Sequence, residues 1–221
     1  MTAPDDLAAR LRALPVFAGA LPAFDAGAAP ADPVALFDAW ITGAIDAGVR
    51  EPHAMTLATV DRQGRPNVRV LILKGVGPDG AWWFAGSRRT AKGAELDATA
   101  VAAATFYWPD QGRQVRLRGP VRDAGAAASA ADFLARGPGA RAETLVGRQG
   151  DTLDHEEDVE VALRHATARI EDDPERVAPA WTLWEIVADE VEFQQGDPDR
   201  RHVRLAYART DDGWARRRLW A

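Results

Sequence analysis

The hydrophobic positions of this chain change their period along the sequence. Between residues 33 and 47 the apolar side chains recur every three or four positions, which predicts a helix with one buried face. Asp32 and Pro33 are typical of a helix N-cap and first turn, and Gly48 is typical of a helix end. The apolar positions are Leu36, Phe37, Trp40, Ile41, Ala44 and Ile45.

From residue 53 the pattern becomes that of strands, with frequent β-branched and aromatic residues. One short helix, Thr90–Ala98, interrupts them. Short turn sequences separate several strands, and such connections join antiparallel strands because a parallel crossover needs a dozen or more residues. The predicted strands are His53–Val60, Asn67–Val76, Ala81–Ala85, Val101–Trp108 and Gln114–Arg122, with turns at Asp61–Gly64, Gly77–Gly80 and Asp110–Gly112.

The C-terminal half adds two predicted helices, 125–136 and 155–171, and then further strands. These strands are Thr182–Gln195, Val203–Arg209 and Trp214–Trp220. Residues 1–31 are predicted to form an N-terminal arm and residues 32–221 a single domain. The sequence therefore predicts a mainly β protein of the α+β class, an antiparallel β-barrel with peripheral helices.

Composition excludes several classes of function. A net charge of −6 argues against a nucleic-acid surface, and the absence of cysteine excludes disulfides and thiolate catalysis. No apolar run approaches the ~20 residues of a membrane span, and the N-terminus lacks a basic signal sequence, so a cytoplasmic location is expected. No metal site is predicted, since His155–Glu157 lacks a second ligand at Val159.

The run Arg200–Arg204 carries the first candidate chemistry. If it is extended, alternation places Arg200, His202 and Arg204 on the same face. Two guanidinium groups beside an imidazole suit an anionic ligand such as a phosphate or carboxylate. The alternative is a solvated basic strand face.

Several segments, in unbroken order over about residues 32–220, together resemble the pyridoxamine 5′-phosphate oxidase family. The run 48–52, Gly-Val-Arg-Glu-Pro, is also similar to phenazine-biosynthesis oxidases of the same superfamily. The segments are Glu51–Val60, Gly64–Pro66, Arg69–Lys74, Phe106–Trp108, Arg113–Gly119, Glu192–Gly196, Arg200–Arg204 and Trp214–Leu219.

This resemblance implies an FMN-binding split β-barrel that works as a homodimer with FMN at the interface. It implies oxidation of pyridoxamine or pyridoxine 5′-phosphate to pyridoxal 5′-phosphate, with molecular oxygen as electron acceptor. Two alternatives stay open: an FMN-dependent oxidase of another small ring substrate, as in phenazine biosynthesis, and a non-catalytic flavin-binding protein.

Carried over by position, the resemblance also implies site residues. His202 and Arg200 are the expected catalytic residues, and with Lys74 and Arg136 they are expected to bind the substrate. The expected FMN-binding residues are Arg69, Val70, Leu71, Lys74, Lys92, Gln114, Gln149 and Arg204.

The chain also departs from the family pattern. Gly86 and Ala91 replace residues of the FMN phosphate site, and Gln194 replaces a tryptophan. In the substrate-phosphate clamp of tyrosine, arginine and serine, Asp132 and Ala140 stand in place of the two hydroxyl residues. Because an aspartate repels phosphate and an alanine cannot donate to it, these two changes bear on the substrate.

Overall fold

The computed structural model describes residues 4–77 and 79–221. Met1–Ala3, at the start of the predicted arm, and Pro78, in the predicted turn Gly77–Gly80, lie outside these residues. The chain forms two compact units. The first unit contains the residues up to Pro52 together with Phe106–Arg116 and Val191–Ala221, and the second contains His53–Thr105 and Leu117–Glu190.

The described residues form helices and strands with the following bounds. The α-helices are α1 Pro4–Arg12, α2 Pro33–Asp46, α3 Ala91–Thr99, α4 Ala126–Leu134, α5 Pro138–Val146 and α6 Glu157–Asp172. The strands are β1 Ala54–Val60, β2 Pro66–Ile72, β3 Gly75–Val76, β4 Ala81–Ser87, β5 Val101–Trp108, β6 Arg113–Asp123, β7 Trp181–Val187, β8 Glu190–Gln195, β9 Val203–Thr210 and β10 Gly213–Leu219. A 3-10 turn, Pro109–Gln111, joins β5 and β6.

The first unit packs α2 against aromatic residues of the strands. Strands β10, β9, β8 and the start of β6 are neighbours in that order. Asp32 caps α2 by accepting a hydrogen bond from the Val34 amide, as predicted. The buried face of α2 places Phe37 5.0 Å from Phe106 and Trp40 5.2 Å from Phe193, measured between ring centroids. The apolar residues that recur with the 3.6-residue period of this helix therefore form part of the core of the unit.

In the second unit β1 pairs antiparallel with β2 and β5, β3 with β4, and β7 with both β4 and β6. A smaller core lies among α4, α5 and α6, around Phe133, Leu145 and Ile170. Gly119 allows two backbone segments to meet, because a Cβ atom there would lie 2.2 Å from the Val187 carbonyl oxygen.

Two predicted strands are each divided in the structure. The predicted strand Asn67–Val76 breaks because the backbone changes partner: the Leu73 amide donates to His53, and the Lys74 amide donates to Trp83. The predicted strand Thr182–Gln195 breaks before Glu190, where the Asp189 amide donates to the Arg118 carbonyl.

Helices α1 and α5 were not predicted. Helix α1 lies within the predicted arm. Helix α5 begins at Pro138, a residue that fits the first helical turn but is equally common in loops. Across residues 4–77 and 79–221, no helix has the length and apolar character needed to span a membrane.

Candidate functional site

A cavity of about 230 Å³ in the second unit brings together four of the predicted site residues: Leu71, Lys92, Arg136 and Gln149. They come from four separate parts of the chain. The remaining lining residues are Ala85, Gly86, Ser87, Thr90, Glu143, Thr144 and Trp181.

Lys92 supplies a half-buried positive charge to this cavity. Its ammonium group donates to the Thr90 hydroxyl at 3.0 Å. Burial and, secondly, the nearby Arg69 charge lower the pKa of Lys92. Within the described residues, no carboxylate lies at salt-bridge distance from it. A cation in this state gains by binding an anion, so the site fits a phosphate group.

Gly86 gives Lys92 its path into the cavity. A Cβ atom at Gly86 would lie 2.4 Å from Lys92 Cε and 2.7 Å from Nζ, so the lysine passes directly over the glycine. Gly86, which departs from the family pattern, therefore allows Lys92 to take this position. Any side chain at residue 86 would displace the lysine.

Arg69 is held within a polar network on β2. Its guanidinium donates to Thr59 Oγ1 and lies 3.0 Å from Glu95 Oε2. Glu95 also accepts hydrogen bonds from Thr59 and Asn67. Burial would raise the pKa of Glu95, but the hydrogen bonds from Thr59, Asn67 and Arg69 hold it below its usual value. Arg69 is thus fixed in place and largely neutralised.

Lys74 is paired with an acid. Its ammonium lies 3.5 Å from Asp132 Oδ1, and the other carboxylate oxygen of Asp132 accepts the Trp181 indole N–H at 2.8 Å. Arg136 stacks on the same indole, 4.1 Å from its centroid, and donates to the Thr144 hydroxyl at 2.6 Å. Burial lowers the pKa of Arg136, and the charge of Glu143 opposes this. Trp181 therefore links two of the predicted substrate residues.

Other predicted residues of the second unit take ordinary positions. Gln149 donates from its amide to the Glu143 carbonyl at 2.9 Å, near the end of α5. Val70 is 66% exposed on β2. Ala140 is exposed on α5, and Ala91 is exposed at the start of α3.

The first unit holds Gln114, Arg200, His202 and Arg204. Arg204 Nε lies 2.8 Å from Glu192 Oε1, and a second arginine, Arg116, contacts the other oxygen of the same carboxylate. The Glu192 side chain is only 3% exposed. Burial would raise its pKa, but the two arginines hold the pKa below the usual value. Gln114 is half-buried on β6.

The predicted alternation of Arg200, His202 and Arg204 is wrong, because the run is not extended until Val203. Arg200 adopts a left-handed φ of 64° and its amide donates to Asp197, which makes a turn. The His202 imidazole accepts the Asp197 amide N–H at Nδ1 and packs edge-on against Phe17 of the arm.

Glu95, Trp181 and Glu192 were not predicted as site residues. Glu192 offers one signal in the sequence, because an acid between Val191 and Phe193 in an apolar strand requires a buried partner. Glu95 and Trp181 offer none, since a helical glutamate and a strand tryptophan are ordinary residues. In the part of the chain that the structure describes, no group of three or more acidic or histidine side chains is arranged to hold a metal.

Comparison with known proteins gives matches over most of the chain. The family model described as pyridoxamine 5′-phosphate oxidase matches residues 41–162. The model for the pyridoxine 5′-phosphate oxidase C-terminal dimerisation region matches residues 181–221. A pyridoxine/pyridoxamine 5′-phosphate oxidase from Pseudomonas syringae is 38% identical over 192 residues, which cover 86% of this chain and 89% of that protein.

Two solved structures are similar in fold. PhzG from Burkholderia lata 383, in complex with tetrahydrophenazine-1-carboxylic acid, has a TM-score of 0.84 and 25% identity, covering 92% of this chain and 100% of PhzG. A pyridoxamine 5′-phosphate oxidase-related, FMN binding protein from Nostoc punctiforme has a TM-score of 0.68 and 21% identity, covering 84% and 97%. This likeness confirms the predicted fold class, an antiparallel split β-barrel with peripheral helices.

Proposed function

Because the chain belongs to the pyridoxamine 5′-phosphate oxidase family, a family of FMN-dependent oxidases, we propose that it oxidises pyridoxamine or pyridoxine 5′-phosphate to pyridoxal 5′-phosphate. The observation that carries this proposal is the cavity of the second unit, in which Lys92 lies with Arg136 and Gln149 and, among the described residues, has no carboxylate at salt-bridge distance. When bound, FMN would supply the two-electron redox chemistry, with molecular oxygen as the final electron acceptor.

The residues around the cavity would hold the cofactor. Lys92 would bind the FMN phosphate. The family resemblance also places Arg69 at FMN, but Glu95 largely neutralises its charge, so Lys92 would supply most of the positive charge. The Gln149 amide, which lines the cavity, would hydrogen-bond the edge of the flavin ring. The first unit holds Gln114, and only the family resemblance gives it a role in binding FMN. Arg204, held by its pair with Glu192, would place a positive charge near the ring.

His202 and Arg200 would act on the substrate. Because the Asp197 amide donates to Nδ1 of His202, the neutral imidazole carries its proton on Nε2. His202 would therefore present a hydrogen-bond donor, and Arg200, in the same unit, would supply positive charge. These roles are predictions from the family resemblance.

We also propose that the protein works as a homodimer with FMN at the interface, as the match to the dimerisation region supports. Strand β2 lies at one end of the strand order, and its residues Val68 and Val70 are 62% and 66% exposed. A second copy would cover such an apolar strand. Light scattering of the purified protein tests this, and a monomeric mass would contradict it. The expected cytoplasmic location stays a prediction.

The deciding experiment is anaerobic reduction of the FMN-loaded protein by pyridoxamine 5′-phosphate and pyridoxine 5′-phosphate. We expect bleaching of the flavin absorbance, followed by pyridoxal 5′-phosphate and hydrogen peroxide when air is admitted. A bound flavin that neither compound reduces would refute the proposal.

A second candidate is oxidation of a carboxylated ring compound. The Lys74–Asp132 pair favours it, because a lysine neutralised by an acid holds a phosphate dianion poorly. The structural neighbour PhzG is in complex with such a compound, tetrahydrophenazine-1-carboxylic acid. If the phosphorylated compounds fail to bleach the flavin, reduction by tricyclic carboxylic acids would support this candidate.

A further inference from the structure

Asp132 is fixed from two sides. Its side chain is 14% exposed, with one oxygen 3.5 Å from the Lys74 ammonium and the other accepting the Trp181 indole N–H at 2.8 Å. A charged partner and a neutral donor together hold the carboxylate in a single position. Trp181 lines the cavity, so Asp132 lies directly behind a cavity wall.

Three cations lie near Trp181 or in the cavity that it lines, namely Lys74, Lys92 and Arg136, and they differ in how far nearby acids neutralise their charge. Lys92 has no carboxylate at salt-bridge distance among the described residues. Arg136 lies 3.9 Å from Glu143, but the Glu143 side chain is 61% exposed and therefore screened by water. Lys74 alone is paired with a mostly buried acid, so its charge is the least available to a ligand.

We propose that Asp132 is a specificity-determining residue, which acts as the built-in counter-ion of Lys74 and so weakens the preference of the pocket for substrates that carry a phosphate dianion. A dianion in the cavity approaches Arg136, and it meets the negative charge of Asp132 behind Trp181, where that carboxylate also neutralises Lys74. A ring substrate with a hydroxymethyl or carboxylate group at that position meets a smaller repulsion. This role rests on the proposed function, because it assumes that the Trp181 side of the cavity receives the substrate.

The consequence is an oxidase that treats phosphorylated and dephosphorylated ring compounds nearly alike. Asp132 favours this by opposing the charge of the phosphate. Arg136 remains to bind the ring substituent, because it lines the cavity with its guanidinium stacked on Trp181.

The test compares binding of pyridoxal 5′-phosphate and pyridoxal to the FMN-loaded protein, followed as changes in the flavin spectrum. In the unaltered protein we expect affinities within about tenfold, which corresponds to about 1.4 kcal/mol. A preference for the phosphorylated compound above tenfold would overturn the proposal, and this arm needs no variant.

Asp132→Asn is the matched change, because its amide oxygen can still accept the Trp181 N–H while the charge is lost. We expect it to tighten pyridoxal 5′-phosphate about tenfold and to leave pyridoxal within about twofold. Inorganic phosphate is the second probe, measured as a competitor of pyridoxal 5′-phosphate, and its affinity is expected to rise as well. Equal changes for both aldehydes, or no gain for either phosphate probe, would overturn the proposal.

A control variant tests whether the effect is specific to Asp132. Asp173→Asn removes the same net charge from an exposed pair with Arg176, and we expect no change in either affinity. If no vitamin B6 compound reduces the flavin in the unaltered protein, the proposed function fails. The role of Asp132 is then judged on inorganic phosphate, whose direct binding measured by calorimetry should still be tighter in Asp132→Asn.

Discussion

Glu192 is a buried charge in the first unit, and its replacement gives a measurable prediction. Its carboxylate is 3% exposed and binds Arg204 at 2.8 Å and Arg116 through the other oxygen. We expect Glu192→Gln, which conserves shape, to destabilise the fold. The amide retains one acceptor but removes the charge and directs an N–H group towards a guanidinium.

The expected cost follows from the exposure of the partners. A hydrogen bond to a charged group contributes about 1.5–3 kcal/mol, and a neutral one about 1 kcal/mol. Arg116 is 49% exposed, so water replaces most of what it loses, whereas Arg204 is 27% exposed. We therefore expect the free energy of unfolding to fall by about 2 kcal/mol, roughly a thirtyfold change in the folded-to-unfolded ratio.

Urea unfolding at fixed protein concentration measures this difference. Glu190→Gln is the matched control on the same strand, because its partner Arg118 is 67% exposed and the expected loss is below about 0.5 kcal/mol. Similar losses for the two variants would refute the reasoning. Since the folded pKa of Glu192 is lowered, its contribution is present above the unfolded pKa of about 4.3 and is lost as the pH falls through the folded pKa. The two proteins should therefore converge in stability once the pH falls below the lowered pKa of Glu192 in the folded state.

Three further changes test other parts of the molecule. Lys92→Met should weaken FMN binding about tenfold to a hundredfold in fluorescence titration, because a charge-assisted phosphate contact is lost; unchanged affinity would remove Lys92 from the site. Gly119→Ala should lower the free energy of unfolding by about 3 kcal/mol, since its Cβ would lie 2.2 Å from the Val187 oxygen. Gly43→Ala, with nothing within 4 Å, should be neutral or stabilising in the same urea assay, and equal effects would contradict the clash. Asp32→Ala should cost about 1 kcal/mol by removing the cap of α2, and a loss below about 0.3 kcal/mol would argue against the cap.

Most strands were predictable because their alternation reflects burial on one face. Strand β5 has the predicted bounds Val101–Trp108, and its buried positions alternate with more exposed ones. The break at Leu73–Lys74 was not predictable. It arises where the hydrogen-bond partner of the backbone changes from His53 to Trp83, and that change depends on residues distant in the sequence. The left-handed φ of Arg200 likewise has no signal in its side chain.

The chemical types of the candidate site were predictable, but their partners were not. Arginines and lysines in strands indicate an anion site, and the resemblance gave their order. Whether each cation is free or paired depends on contacts such as Lys74 with Asp132 and Arg69 with Glu95, which join residues far apart in the sequence. These pairings decide which of the cations can bind a ligand.

The two units also constrain how the chain can be made. The first unit is assembled from three separated segments, and the Tyr207 hydroxyl donates to the Pro30 carbonyl across 177 positions. At synthesis rates of about 5–20 residues per second, the N-terminal segment waits on the order of ten to forty seconds for these partners. During that interval the core of the first unit is incomplete, because Trp40 of α2 packs against Phe193 of the last segment. This apolar surface of the nascent chain therefore stays partly uncovered until the last strands emerge.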